Sequence, residues 1–290
     1  MHLRDNFIEY VLSRHVGKQK KITSISPVSG GCIHETLRID CLTDSFFLKC
    51  SVLENLEMFE AEAEGLEAIA QKKYLKTPVV LGYGTWNDKG YLLLEWIDTS
   101  GTSKHFWETF GQSLASLHRE TQDNFGYHVN NYIGRLEQMN TLQSKWHEFF
   151  ISARLEPQLN LAVSQDLLPA TVRSKFDLLY DRLGELVPTE QPAFLHGDLW
   201  SGNFKCNTNQ EPVVFDPAVH FGHRETELAF TTLFGGFHEE FYKAYEGSYP
   251  VEKGFQDRIA LHNLYPLLVH LNLFGTSYLP SIEKALKRFT

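Results

Sequence analysis

The chain has 290 residues, with 42% hydrophobic and 22% charged side chains and a formal net charge of −9, enough for one large domain or two closely packed lobes. The acidic balance and the scattered lysines and arginines exclude the usual basic surface for a phosphate backbone, so neither nucleic acid nor an anionic membrane is an expected partner. The first ten residues hold no apolar signal core, and the longest apolar runs are interrupted by Glu95 or by Pro266, His270 and Asn272, which predicts a soluble, cytoplasmic protein.

Asn6 to Leu12 has helical spacing (Phe7, Ile8, Val11, Leu12) and is followed by a basic turn. Ile22 to Val28 then alternates apolar and polar, Ser29-Gly30-Gly31 breaks the pattern, and Leu37 to Ile39 and Phe46 to Lys49 read as further short strands, with Lys49 closing the third. Glu54 to Lys73 is rich in Glu, Ala and Leu and predicts one helix. Pro78 to Gly84 and Gly90 to Ile97 are strand-like.

Beyond Gly101 the pattern becomes mainly helical: Phe106 to His118, Leu142 to Leu161, Thr171 to Leu186 and Arg258 to Leu273 each repeat at the helical interval. The exception is Phe194 to Asp216, where two short apolar runs bracket a polar loop. The fold class is therefore α+β, with a small antiparallel-sheet N-lobe carrying one main helix over residues 1–98 and a larger, mainly helical C-lobe over residues 99–290.

The polar loop reads His196-Gly197-Asp198-Leu199-Trp200-Ser201-Gly202-Asn203, and Asp216 follows Val213-Val214-Phe215. These intervals match a kinase catalytic loop, in which an Asp accepts the attacking hydroxyl's proton, an Asn five residues on binds metal, and a later Asp binds metal again. An alcohol is a weak nucleophile at neutral pH, and ATP brings charges that must be neutralised before an oxygen can approach, which calls for a base and for hard oxygen ligands to Mg2+. Asp198 is thus the expected base and Asn203 and Asp216 the expected metal ligands; the bland alternative is that Asp and Asn only cap turns. His196 is read as a hydrogen-bonded residue pinning the loop, because Asp198 already fills the base role. A metal site from His220 and His223 is a weaker alternative, set aside for want of a third ligand.

Gly30 and Gly31 between two strands form either a phosphate-covering turn or an ordinary hairpin. Lys49 and the following helix's Glu62 are placed to pair, the lysine toward ATP phosphates, or else to lie on a solvated face. The four cysteines, Cys32, Cys41, Cys50 and Cys206, form no CxxC pair and read as reduced thiols.

The strings HGDLWSGNF, DPAVHFGHRETELAFTTLFGGF, FGYHVNNYIGRLEQMN and WHEFFISARLEPQL together resemble the fructosamine (ketosamine) 3-kinases, relatives of aminoglycoside and choline kinases within the protein-kinase-like superfamily. The resemblance implies a bilobal protein-kinase-like fold and ATP- and Mg2+-dependent phosphorylation of the sugar 3-hydroxyl of ketosamines, on small adducts or on glycated protein lysines. It implies Asp198 as base, Asn203 and Asp216 as metal ligands, Lys49 and Glu62 as the ATP-phosphate pair, and Glu95, Trp96 and Ile97 as the hinge that meets adenine. Trp200 faces the sugar on this reading, or packs under the loop on the other. The same family gives Cys32 a redox role, with a disulfide-linked dimer as one product; otherwise it fills a turn and the protein is a monomer. Two departures stand out: Ser29 occupies what is often another glycine, and Glu227 what is often Asp, and neither is one of the three core catalytic positions. The competing functions are a kinase for another hydroxylated amine, such as an aminoglycoside or choline, and a non-catalytic nucleotide-binding scaffold.

Overall fold

The computed structural model describes residues 3–17, 20–28 and 34–290. Gly30, Gly31 and Cys32 lie outside the described residues. The chain forms two compact units, one of Met1–Gly101 with Lys205–Asp216, the other of Thr102–Phe204 with Pro217–Thr290.

The first unit opens with helix α1 (Leu3–His15), followed by β1 (Ile22–Pro27), β2 (Glu35–Cys41), β3 (Ser45–Val52), helix α2 (Leu56–Lys72), β4 (Val80–Trp86) and β5 (Lys89–Glu95). The strands make one antiparallel sheet in the order β1-β2-β3-β5-β4. Strand alternation decides which side chain meets which helix. Phe46, Leu48 and Cys50 of β3 pack with the α1 stripe of Phe7, Ile8, Val11 and Leu12. Phe47 instead packs with Phe59, Ala63 and Leu66 of α2, so Lys49, two residues on, shares the α2 face. Strand β3 continues to Val52, which corrects the expectation that Lys49 closes it: Ser51 and Val52 still find partners in Gly90 and Lys89 of β5.

The second unit begins with α3 (Lys104–Leu117), whose N-terminus is capped by Ser103 accepting the Phe106 N–H. A hairpin of β6 (Asn131–Ile133) and β7 (Leu136–Gln138) follows. The predicted helix from Leu142 starts only at Trp146, because Gln143 is drawn into a bridge with Phe125. It runs as α4 (Trp146–Phe149), a π-helical stretch (Phe150–Leu155) and α5 (Glu156–Ser164). The helix expected over Thr171 to Leu186 divides into α6 (Ala170–Tyr180) and α7 (Leu183–Leu186), and at the division the Arg182 guanidinium donates to the Phe289 carbonyl.

Next come β8 (Ala193–Leu195), the two-stranded pair β9 (Phe204–Cys206) and β10 (Pro212–Val214), most of which belongs to the first unit, and β11 (His220–Gly222), antiparallel to β8. Helices α8 (Arg224–Phe230), α9 (Glu239–Ser248), α10 (Phe255–His262), α11 (Leu264–Phe274) and α12 (Leu279–Leu286) complete the chain. The expected continuous helix from Arg258 to Leu273 breaks at Asn263, where Pro266 has no N–H to offer the His262 carbonyl. Phe149, Phe150, Leu159, Phe176 and Leu268 are centres of this unit's core.

Candidate active site

The first unit gathers three of the expected site residues. Lys49 donates to Glu62 Oε1 at 2.7 Å and forms an ion pair with Asp216. The lysine follows from β3 alternation and Glu62 from its place on α2, three residues after Phe59 and one before the buried Ala63. Asp216 has φ +56, a left-handed conformation that Asp tolerates better than most residues but still at some cost, and its side chain keeps 44% exposure. Burial pulls the Lys49 ammonium down, yet the Asp216 and Glu62 carboxylates outweigh it and hold the pKa above the ordinary lysine value. Burial drives the Glu62 carboxyl up, Lys49 pulls it back, and Asp216 pushes it up again, leaving it at about 7. One cation thus serves two carboxylates.

Glu95 ends β5, with Trp96 and Ile97 beyond the strand. Glu95 Oε2 accepts the Val79 N–H at 3.2 Å, Trp96 donates to Asp98 Oδ1 at 3.1 Å, and the Arg38 guanidinium lies 4.4 Å over the Trp96 ring.

The second unit holds the catalytic-loop string. Gly197 has φ +87, and a Cβ there would lie 2.0 Å from the Ala218 carbonyl oxygen, so only glycine fits between His196 and Asp198. Fully buried His196 accepts the Asp198 N–H at Nδ1, 3.3 Å away. Asn203 Nδ2 donates to both the carbonyl oxygen and carboxylate Oδ2 of Asp198, each at 2.8 Å. Committing the amide nitrogen this way leaves the Asn203 amide oxygen, a hard donor, for another electrophile. Trp200 makes an edge contact with Phe234, centroids 5.8 Å apart, and covers Gly202, where a Cβ would meet its ring at 2.3 Å; it remains partly exposed. Both readings of Trp200 stay compatible with that placement.

Sequence reasoning missed the support behind this loop. Glu227 accepts the Gly197 N–H at 2.6 Å on Oε1 and the His196 N–H at 3.2 Å on Oε2. Its Oε2 also takes the His118 Nε2–H at 2.9 Å, while His118 Nδ1 and the Tyr245 hydroxyl share a hydrogen bond at 2.8 Å. Arg224 continues the chain, donating to Tyr245 at 3.4 Å and bidentately to Glu190 at 2.8 and 2.7 Å. Burial works to raise the Glu227 pKa, but these donors, His118 first, hold it below the ordinary value. The signal was present in the sequence as Glu227 itself, noted only as a departure at a non-catalytic position.

Among the described residues, no group of three or more candidate metal ligands contains both His220 and His223. His223 instead groups with Glu225 and His262, but Arg258 binds both Glu225 oxygens at 2.7 and 2.5 Å, and the guanidinium already supplies the counter-charge a metal would bring. The described cysteines, Cys41, Cys50 and Cys206, are buried and unbridged. Among the described residues, no helix is long and apolar enough to cross a membrane.

Known proteins resemble the chain over nearly its whole length. The family profile described as fructosamine kinase matches residues 5–290. A Synechocystis protein named as a ketoamine kinase is 39% identical over 284 residues, covering 96% of this chain and 94% of its own. The chloroplastic protein-ribulosamine 3-kinase of Arabidopsis thaliana is 37% identical over 279 residues, covering 94% and 84%. Among solved structures, a Haemophilus somnus protein bearing the name fructosamine-3-kinase superposes with a TM-score of 0.88 at 27% identity, covering 97% of this chain and 96% of that one. A choline kinase from Streptococcus pneumoniae shares the fold alone, with a TM-score of 0.65 at 14% identity over 99% of both chains. The chain belongs to the fructosamine kinase family, with the protein-kinase-like fold.

Proposed function

We propose that the protein phosphorylates the 3-hydroxyl of ketosamine sugars with ATP, as a deglycation kinase. The observation that carries this reading is the tie between Asn203 Nδ2 and the Asp198 carboxylate at 2.8 Å, which fixes the base and leaves one amide oxygen for metal. The names of the Synechocystis and Arabidopsis relatives supply the substrate class.

Asp198 accepts the proton of the attacking hydroxyl as the sugar oxygen bonds to the γ-phosphorus; the bond from that phosphorus to the β,γ-bridging oxygen breaks, and ADP leaves. Lys49, oriented by Glu62 at 2.7 Å, pairs with ATP phosphates. The Asn203 amide oxygen and the Asp216 carboxylate are hard donors that fit Mg2+, which keeps part of its water shell and is held by few protein ligands. When bound, the ion neutralises phosphate charge. Asp216 holding it relieves the crowding of two carboxylates on Lys49. Glu95, Trp96 and Ile97 serve as the adenine hinge and Trp200 as a face for the sugar. A glycated protein lysine and a small adduct are both accommodated by this chemistry, which acts on the sugar, and the enzyme works in the cytoplasm.

The test is ATP consumption across ribulosamine, erythrulosamine and fructosamine adducts beside kanamycin and choline. Turnover of the ketosamines is expected; turnover of kanamycin or choline alone would replace this reading.

A further inference from the structure

Arg154 is 1% exposed and faces no carboxylate among the described residues. It lies in the π-helical stretch, a local geometry that often marks functional positions. Its Nη1 donates to the carbonyls of Met139 and Ala153 and its Nη2 to Asn140 Oδ1 at 2.8 Å, all neutral acceptors. The guanidinium lies 4.6 Å from the Phe149 ring centre and 5.5 Å from that of Tyr265. Arg154 Nε has no partner. Burial pulls its pKa down to about 10, and Tyr265 alone acts against that.

Arg154 lines a cavity of about 30 Å3 in the second unit, together with Trp146, His220, His262, Tyr265 and Gly197, room for roughly two water-sized particles. Two further buried polar atoms without partners belong to this lining, Trp146 Nε1 and His262 Nδ1. Arg Nε and Trp Nε1 can only donate. His262 Nε2 donates to Glu225 Oε2 at 3.0 Å, so its Nδ1 presents a lone pair. The Glu227 carboxylate also lines the cavity, but its oxygens are taken by His118 and the two loop amides. A buried cation without an anion is costly, and here its spare N–H shares a cavity lining with a second unpartnered donor.

We propose that this cavity binds one small monovalent anion of the halide class, held by the Nε–H of Arg154 and the Nε1–H of Trp146, with one water donating both to the anion and to His262 Nδ1. The site lies behind the catalytic loop, which it meets at Gly197, and does not depend on the kinase reading.

Removing the Arg154 side chain risks the fold, so the test uses Trp146→Phe, which keeps the ring contact with Phe150 (5.1 Å) and deletes the N–H. The full-length protein is titrated with sodium bromide against sodium gluconate at constant ionic strength, following the melting midpoint, and crystals grown in bromide are measured for anomalous scattering. The expected result is a saturable rise of about 2–4 °C in bromide only, an anomalous peak in the cavity, and a need for about tenfold more bromide in Trp146→Phe. Equal midpoints in both salts with no peak overturn the proposal and leave a water-filled cavity. Displacement of bromide by the ribulosamine of glycine, but not by that of methylamine, would overturn it in favour of a subsite for a substrate carboxylate.

Discussion

Glu227 accepts the backbone N–H of Gly197 at 2.6 Å, one residue before Asp198, and so the carboxylate positions the proposed base through the main chain rather than by touching it. Glu227→Gln keeps the shape but weakens charge-assisted bonds to His118 and to two amides. We expect kcat to fall about tenfold to a hundredfold with little change in the KM for ATP. Glu227→Ala leaves three buried donors unmet and should also lower stability by about 2–4 kcal/mol. Steady-state kinetics and chemical denaturation on both variants check this, and a variant with lost stability but unchanged kcat would reduce Glu227 to a packing role.

Asp198→Asn preserves size and hydrogen bonding while removing the proton acceptor. Turnover should drop by about 10² or more, with nucleotide affinity nearly intact. Single-turnover kinetics beside nucleotide titration separate the two effects, and near-native turnover would sink the assignment of the base.

Asp216→Ala removes a carboxylate from the Lys49 group and, on the proposed roles, the main negative charge for Mg2+. Calorimetry should show ATP affinity that no longer responds to added Mg2+, whereas the parent binds more tightly with the ion than in EDTA. Equal Mg2+ responses in the two proteins would show that Asp216 is not a ligand.

Acid should destabilise the fold as its buried histidines are forced to take up protons. Burial holds His34 and His223 down at about 4 and lowers His15, His220, His262 and His270 as well, against about 6.5 in an unfolded chain. A folded pKa below the unfolded one means stability is full above about pH 6.5 and is lost as pH falls toward the folded value. Glu62 acts with the opposite sign, since its folded value of about 7 lies above the ordinary 4.5 and its share grows as pH falls. The lowered histidines outnumber the one raised carboxyl, so the unfolding free energy should drop between pH 7 and pH 4.5. Urea titrations at a series of pH values measure it, and His220→Gln should flatten the slope.

Much of the fold was legible because periodicity reports burial. The α1 stripe of Phe7, Ile8, Val11 and Leu12 and the alternation through Phe46 to Lys49 each need only local spacing to read. Lys49 and Glu62 could be paired from chain order once β3 and α2 were placed. The string from His196 to Asn203 was legible because the chemistry proposed for it requires a fixed interval between Asp198 and Asn203. The hidden features depend on distant contacts. The helix break at Asn263 was marked by Pro266, but the strongly apolar run from Leu264 to Leu271 masked it. The β6–β7 hairpin is three residues a side, too short to show alternation, and is fixed by Asn131 and Gln138 donating to the Val219 and Ala218 carbonyls. Glu227 was passed over because a residue that works through backbone amides thirty positions away carries no local signature.

The most direct measurement is the position of the transferred phosphate. The protein is incubated with ATP and a ribulosamine adduct, and the product is analysed by phosphorus and carbon nuclear magnetic resonance. A single phosphate on the sugar O3, formed by the parent and not by Asp198→Asn, is the expected result. Phosphate on another hydroxyl or on the amine, or no transfer to the ketosamine while choline or kanamycin is phosphorylated, would contradict it.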